Sequence, residues 1–180
     1  MSKSNTGNSS QLAHLVRRFF ASLGQRSPDP SDVVWVKETL LQAEFELWEK
    51  MSPPDQRHSI AVAQMARSEL PNDVTTMRAG LLHDIGKIGV PSGLITRVAA
   101  AISKPLATED RVNRWSQGKG PLASLGAFMS YPQLGASMLR EVGSDDFTVM
   151  WATEHHLPST EWTVERRRAE VLQRADQFAV

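Results

Sequence analysis

The chain contains no cysteine, which excludes disulfides, zinc–thiolate sites and thiol nucleophiles. It also lacks net charge. Twenty lysines and arginines balance twenty aspartates and glutamates, so bulk electrostatic binding to nucleic acid or an anionic membrane is not expected. No run approaches the ~20 apolar residues that span a bilayer. The polar segment Met1–Ser10 lacks the apolar stretch of a secretion signal. A cytoplasmic protein without a membrane span is the expectation. Alternating strand patterns and internal repeats are missing as well. With thiolates excluded, any metal must be held by His, Asp or Glu, and the five histidines can be taken one at a time.

What is present reads as helix. A chain of 180 residues, 41% of them hydrophobic, can form one domain with a core. Residues 1–10 have the composition of a disordered tail. Apolar residues at three- and four-residue steps predict an amphipathic helix over Gln11–Leu23, stopped by Gly24. After the loop Ser27–Pro30, Ser31 caps a second predicted helix that runs to about Lys50. Ser52-Pro53-Pro54-Asp55 is a strong start signal, with a capping hydroxyl, prolines where missing N–H groups cost nothing, and an acid near the positive helix end. That helix runs to Leu70, before Pro71. Another runs from Asn72 or Asp73 to His83 and Asp84, with Gly86 expected as a left-handed residue at its end. Further helices are expected at Leu94–Ile102, Pro121–Met129, Pro132–Glu141 (ended by Gly143), Asp145–His156 (capped by Ser144) and Thr160 to the end, with Trp115–Pro121 as loop. The expected class is all-α: N-terminal helices over 11–50 against a compact bundle over 51–180.

The histidines carry the chemistry. His14, beside Arg17 and Arg18, reads as a surface or helix-contact residue. His58, His83, His155 and His156 fall in or at the ends of three predicted helices, and imidazoles from several helices can converge on one ion inside a bundle. Each alone has a structural reading as an ordinary core or surface histidine. The string Leu81-Leu82-His83-Asp84-Ile85-Gly86-Lys87 is more specific. Adjacent His and Asp at a helix end can both reach one cation, and the apolar residues before them bury a carboxylate that would be costly without a partner. A capping aspartate with an incidental histidine is the competing reading.

In order and spacing, His58, then His83-Asp84-Ile85-Gly86-Lys87, then His155-His156, then Asp176 resemble the HD superfamily of metal-dependent phosphohydrolases, over roughly Met51–Val180. The resemblance implies that His58, His83, Asp84 and Asp176 hold a divalent ion (Mn, Fe, Ni, Zn or Mg) in the bundle interior. Dinuclear members of the family add a histidine in a His-Pro string, and the matching string here is Tyr131-Pro132. A phenol, with an ordinary pKa of about 10, is a much poorer ligand than imidazole. The departure favours one ion, or a weak second ion held by Asp84 and His155.

The implied reaction is hydrolysis of a phosphate ester by metal-activated water. Asp84, His155 and Lys87 are the candidate catalytic residues, with Lys87 neutralising a substrate phosphate and His155 moving protons. Helical geometry separates adjacent side chains by ~100°, so His155 is expected inward and His156 at the rim. The implied substrates are nucleotides, cyclic dinucleotides or other small phosphate esters. The Gly-Tyr-Pro string that marks one cyclic-dinucleotide branch is replaced by Leu157-Pro158-Ser159. The alternative is a non-enzymatic HD module that binds a ligand or partner in signalling. A homodimer through Gln11–Leu23 is a further expectation.

Overall fold

In a computed structural model the described residues are 27–89 and 130–179. The tail expected over residues 1–10, the helix and dimer contact expected over Gln11–Leu23, the helices expected at Leu94–Ile102 and Pro121–Met129, and the loop expected at Trp115–Pro121 fall outside them. The described residues form α-helices α1 (Pro30–Thr39), α2 (Gln42–Trp48), α3 (Pro53–Glu69), α4 (Val74–Leu82), α5 (Tyr131–Glu141), α6 (Asp146–Glu154) and α7 (Arg166–Phe178), and a 3₁₀ helix η1 (Ile85–Gly89). Among them there is no strand, and the protein is all-α. No helix of the described residues is long and apolar enough to cross a membrane.

The cap of the first helix lies two residues earlier than the expected Ser31. Asp29 is its cap, accepting the Ser31 N–H at 2.8 Å and the Ser31 hydroxyl at 2.6 Å, because Pro30 has the fixed φ and missing donor that suit the first helical position. The single helix expected to Lys50 is instead two, broken at Leu40 and Leu41, both extended at ψ 156°. Two side chains take the groups that a continuous helix would pair. Arg78 Nε donates to the Thr39 carbonyl at 2.8 Å, and the buried Glu44 carboxylate accepts the Leu41 N–H at 2.8 Å.

The third helix begins as its sequence predicts, with Ser52 as cap and Pro53 and Pro54 in the first turn. Asp73 caps α4 through the Thr76 N–H at 3.1 Å. The fourth helix is central, in contact with α1, α2, α3, α6 and α7. Ala79, Leu81 and Leu82 have no exposure, and each fully buried leucine stabilises the fold by ~1.5–3 kcal/mol. A Cβ on Gly80 would lie 3.1 Å from Ala63 Cα, so glycine lets α3 and α4 cross closely. That crossing puts His58 and His83 side by side.

Three end signals differ from expectation. Asp145, not Ser144, caps α6, holding both the N–H and the hydroxyl of Thr148. The last helix starts at Arg166 rather than Thr160, where Glu165 accepts the N–H groups of Arg167 and Arg168 at 2.9 Å. Gly143 ends α5 in the left-handed region at φ 78°, and it alone among the described glycines has a positive φ. Gly86 therefore does not act as a left-handed terminator. The chain tightens into η1, with the Lys87 N–H donating to the Asp84 carbonyl at 3.0 Å. What Gly86 provides is room, because a Cβ there would sit 1.9 Å from the Tyr131 carbonyl oxygen and 2.7 Å from the Gly135 nitrogen. Gly135 answers it from α5, its own Cβ position 3.0 Å from the Gly86 nitrogen. This backbone-on-backbone contact docks η1 on α5 and sets Tyr131 over Asp84.

Gly86→Ala is expected to destabilise the protein by about 3 kcal/mol in chemical denaturation, since both obstructing atoms are backbone. A loss within the error of the measurement would contradict this role.

Candidate metal centre

Three helices and one turn bring the motif residues together. His58 projects from the second turn of α3, His83 is the residue that ends α4, Asp84 follows it, and Asp176 lies in the last turns of α7. His58 Nε2 is 2.8 Å from Asp176 Oδ1, and His83 Nε2 is 3.6 Å from the same oxygen and 3.5 Å from Asp84 Oδ2. The His58 and His83 rings meet edge to face at 5.4 Å. His83 is oriented through its other nitrogen, 2.9 Å from the Gly80 carbonyl, which aims Nε2 at the carboxylates.

The other side of Asp84 faces α5 and α6. Tyr131, the only tyrosine of the chain, is buried and donates its hydroxyl to Asp84 Oδ1 at 2.9 Å. The hydroxyl oxygen is also 3.3 Å from His155 Nε2 and in short contact with His156 Nε2. His155 is buried, with Nδ1 3.0 Å from the Ala152 carbonyl, and Nε2 is 3.8 Å from Asp84 Oδ1. His156 is exposed. Lys87 Nζ forms a short ion pair with Asp84 Oδ2, lies 4.0 Å from Asp55 Oδ1, and sits over the Tyr131 ring, 5.3 Å from its centroid.

Two sets of donor atoms thus share Asp84: His58, His83 and Asp84, and Asp84, His155 and His156. Within each set the atoms lie within 4.8 Å of one another. Imidazole nitrogen and carboxylate oxygen suit divalent ions such as Mn, Fe, Ni or Zn. Electrostatics fit a cation too. Burial works against charge on His83, yet the carboxylates of Asp84 and Asp176 outweigh it and push its pKa up to about 9. Burial likewise opposes ionisation of Asp84, but the charges of Lys87 and His83 hold it well below the usual carboxylate range. Asp176 is driven the same way by hydrogen bonds from His58 and His83. Excess negative charge draws protons and an ammonium into the interior, and a bound cation would meet the same demand.

Two groups of the site are kept uncharged. Burial, reinforced by Asp84, pushes the Tyr131 phenol up, so its hydroxyl stays a donor. Burial and the proximity of His156 and His83 push His155 down, so its imidazole stays neutral.

Sequence reading missed two contributors. Glu154 is buried and accepts from the Thr163 N–H at 2.7 Å and the Thr163 hydroxyl at 2.6 Å, bracing the segment that follows the two histidines. A glutamate just before His155-His156 was the available signal. Asp55 reads as a helix-start acid and is one, but it also stands beside Lys87, a proximity that α3 and η1 create only on folding.

In metal-free protein, the folded state raises the pKa of His83 above its ordinary 6.5. Its contribution to stability is complete below pH 6.5 and is lost as pH rises through about 9. The depressed Asp84 and Asp176 contribute above pH 3.8 and lose that contribution on acidification. Thermal denaturation of metal-free protein is expected to show a falling Tm between pH 6.5 and 9, absent in His83→Gln. A flat profile in the unmodified protein would contradict the arrangement.

No curated protein and no solved structure gave a significant match to the chain. The family model for the HD domain matches residues 56–180, a span that begins two residues before His58 and takes in every candidate ligand. With the ordered motif, the all-helical bundle and the converged His and Asp side chains, that match establishes that the chain belongs to the HD domain family of metal-dependent phosphohydrolases.

Proposed function

We propose that this chain is a phosphoesterase working with one divalent ion, held by His58, His83, Asp84 and Asp176, on a nucleotide or another small phosphate ester. The observation that carries this reading is the convergence of those four side chains, with His83 oriented by the Gly80 carbonyl. The 51–180 segment is taken as the catalytic domain. When bound, a divalent cation supplies Lewis-acid polarisation of a phosphoryl oxygen and a more acidic water.

The chain's own residues do the rest. Asp84 and Asp176 provide the negative charge that localises the cation. Neutral His155, 3.3 Å from the Tyr131 hydroxyl, accepts a proton at Nε2 during hydrolysis. Lys87, partly exposed at the edge of the site, offers an ammonium to the substrate phosphate. Tyr131 stands where the dinuclear pattern has histidine. Its protonated hydroxyl satisfies Asp84 Oδ1 by donation, an oxygen that a second ion would otherwise engage.

A second reading rests on the same contact. Tyr131 and Lys87 between them engage both oxygens of Asp84, which suits a catalytically weak module that uses the bundle to bind a phosphorylated ligand such as a cyclic dinucleotide. Hydrolysis of p-nitrophenyl phosphate and bis(p-nitrophenyl) phosphate separates the two. Turnover is expected with added Mn²⁺ and is expected to fall to background in His83→Ala and Asp84→Ala. No turnover with Mn²⁺, Fe²⁺ or Ni²⁺ would sink the enzyme reading. Tyr131→His is expected to raise turnover by restoring an imidazole at the second position, and unchanged turnover would show that Tyr131 is not what limits the site.

A further inference from the structure

Lys87 stands between two carboxylates. Its ammonium is in a short ion pair with Asp84 Oδ2, the oxygen 3.5 Å from His83 Nε2 and therefore the one on the proposed ligand side. A divalent ion on Asp84 Oδ2 would repel an ammonium held against the same oxygen. Lys87 has a second acceptor within reach. Asp55 Oδ1 is 4.0 Å from Nζ, and its other oxygen accepts the Ser52 hydroxyl, which fixes the carboxylate at the start of α3. A movement of roughly 1 Å would bring the ammonium into charge-assisted hydrogen-bond range of Asp55. The Tyr131 ring, with its centroid 5.3 Å from Nζ, gives the cation a favourable surface where it stands.

We propose that Lys87 is an exchangeable internal counter-ion: it neutralises Asp84 in the metal-free protein, and it transfers to Asp55 when the ion binds. The idea deepens the metal-centre reading and rests on it. Lys87 thereby competes with the metal for Asp84, while Asp55 favours metal binding from outside the ligand set by receiving the displaced ammonium. Asp55 is a positioning residue in this scheme, since it acts only through Lys87.

The test is a double-mutant cycle on Mn²⁺ affinity, read by isothermal titration calorimetry, with thermal denaturation of the metal-free proteins alongside. Lys87→Met is expected to bind Mn²⁺ roughly tenfold more tightly, the effect of removing one competing charge-assisted contact. Its metal-free form is expected to melt lower, because Asp84 loses its counter-ion. Lys87→Gln serves the same purpose should the methionine variant not fold. Asp55→Asn is expected to weaken Mn²⁺ binding in the presence of Lys87 and to have no effect in Lys87→Met. Unchanged or weaker binding in both lysine variants would overturn the competition, and an Asp55→Asn effect that persists without Lys87 would overturn the transfer. Absence of Mn²⁺ binding by the unmodified protein would overturn the metal-centre reading itself, an outcome distinct from binding that Lys87 does not influence.

Discussion

A buried carboxylate stays ionised only if positive charge or hydrogen-bond donors replace the water it gave up, and without them the cost is several kcal/mol. Asp84 is the residue under that constraint here, at 3% exposure with both oxygens engaged. Much of the surrounding structure answers it. The fourth helix is held among five neighbours and delivers His83 and Asp84 at its end. The third and seventh helices supply His58 and Asp176, while η1 turns Lys87 back onto the carboxylate. The contact of Gly86 with Gly135 brings α5 close enough for the Tyr131 hydroxyl to reach the opposite oxygen. The two sides of Asp84 differ in chemistry: histidines and a second carboxylate on one, a phenol and a neutral imidazole on the other. That asymmetry is the physical basis for a one-ion reading.

Long-range convergence was legible through the family resemblance carried by residue order, not through any one residue. The His-Asp pair after an apolar helix is the distinctive element, whereas the preceding histidine and the late aspartate gain meaning only from their order relative to it. The all-helical class followed from period and from the lack of alternating segments. Local choices were harder to read wherever a distant side chain competed for backbone groups. The break at Leu40–Leu41 depends on Arg78 reaching the Thr39 carbonyl from α4, a contact between residues 39 positions apart. The late start of the last helix depends on Glu154 holding the Thr163 N–H.

Gly86 shows a different kind of limit. A glycine after a helix commonly marks a left-handed terminator, and a one-dimensional reading has no means of seeing a carbonyl from a helix 45 residues later in the sequence. Tyr131 was legible as a departure from the dinuclear pattern but not as a contributor in its own right. Its donation to Asp84, its contacts with both histidines and its ring under Lys87 follow from the fold. Lys87 was similarly legible as a cation beside the motif, whereas its place between Asp84 and Asp55 is a property of three-dimensional proximity.

The central claim is that one divalent ion belongs at the His58, His83, Asp84 and Asp176 cluster and that Tyr131 denies the site a second. Anomalous scattering from crystals soaked in Mn²⁺ tests it directly. The account predicts a single strong peak per chain, within coordination distance of those four side chains, and none between Asp84 and His155. Two peaks sharing Asp84, or a single peak on the Tyr131 side, would contradict it.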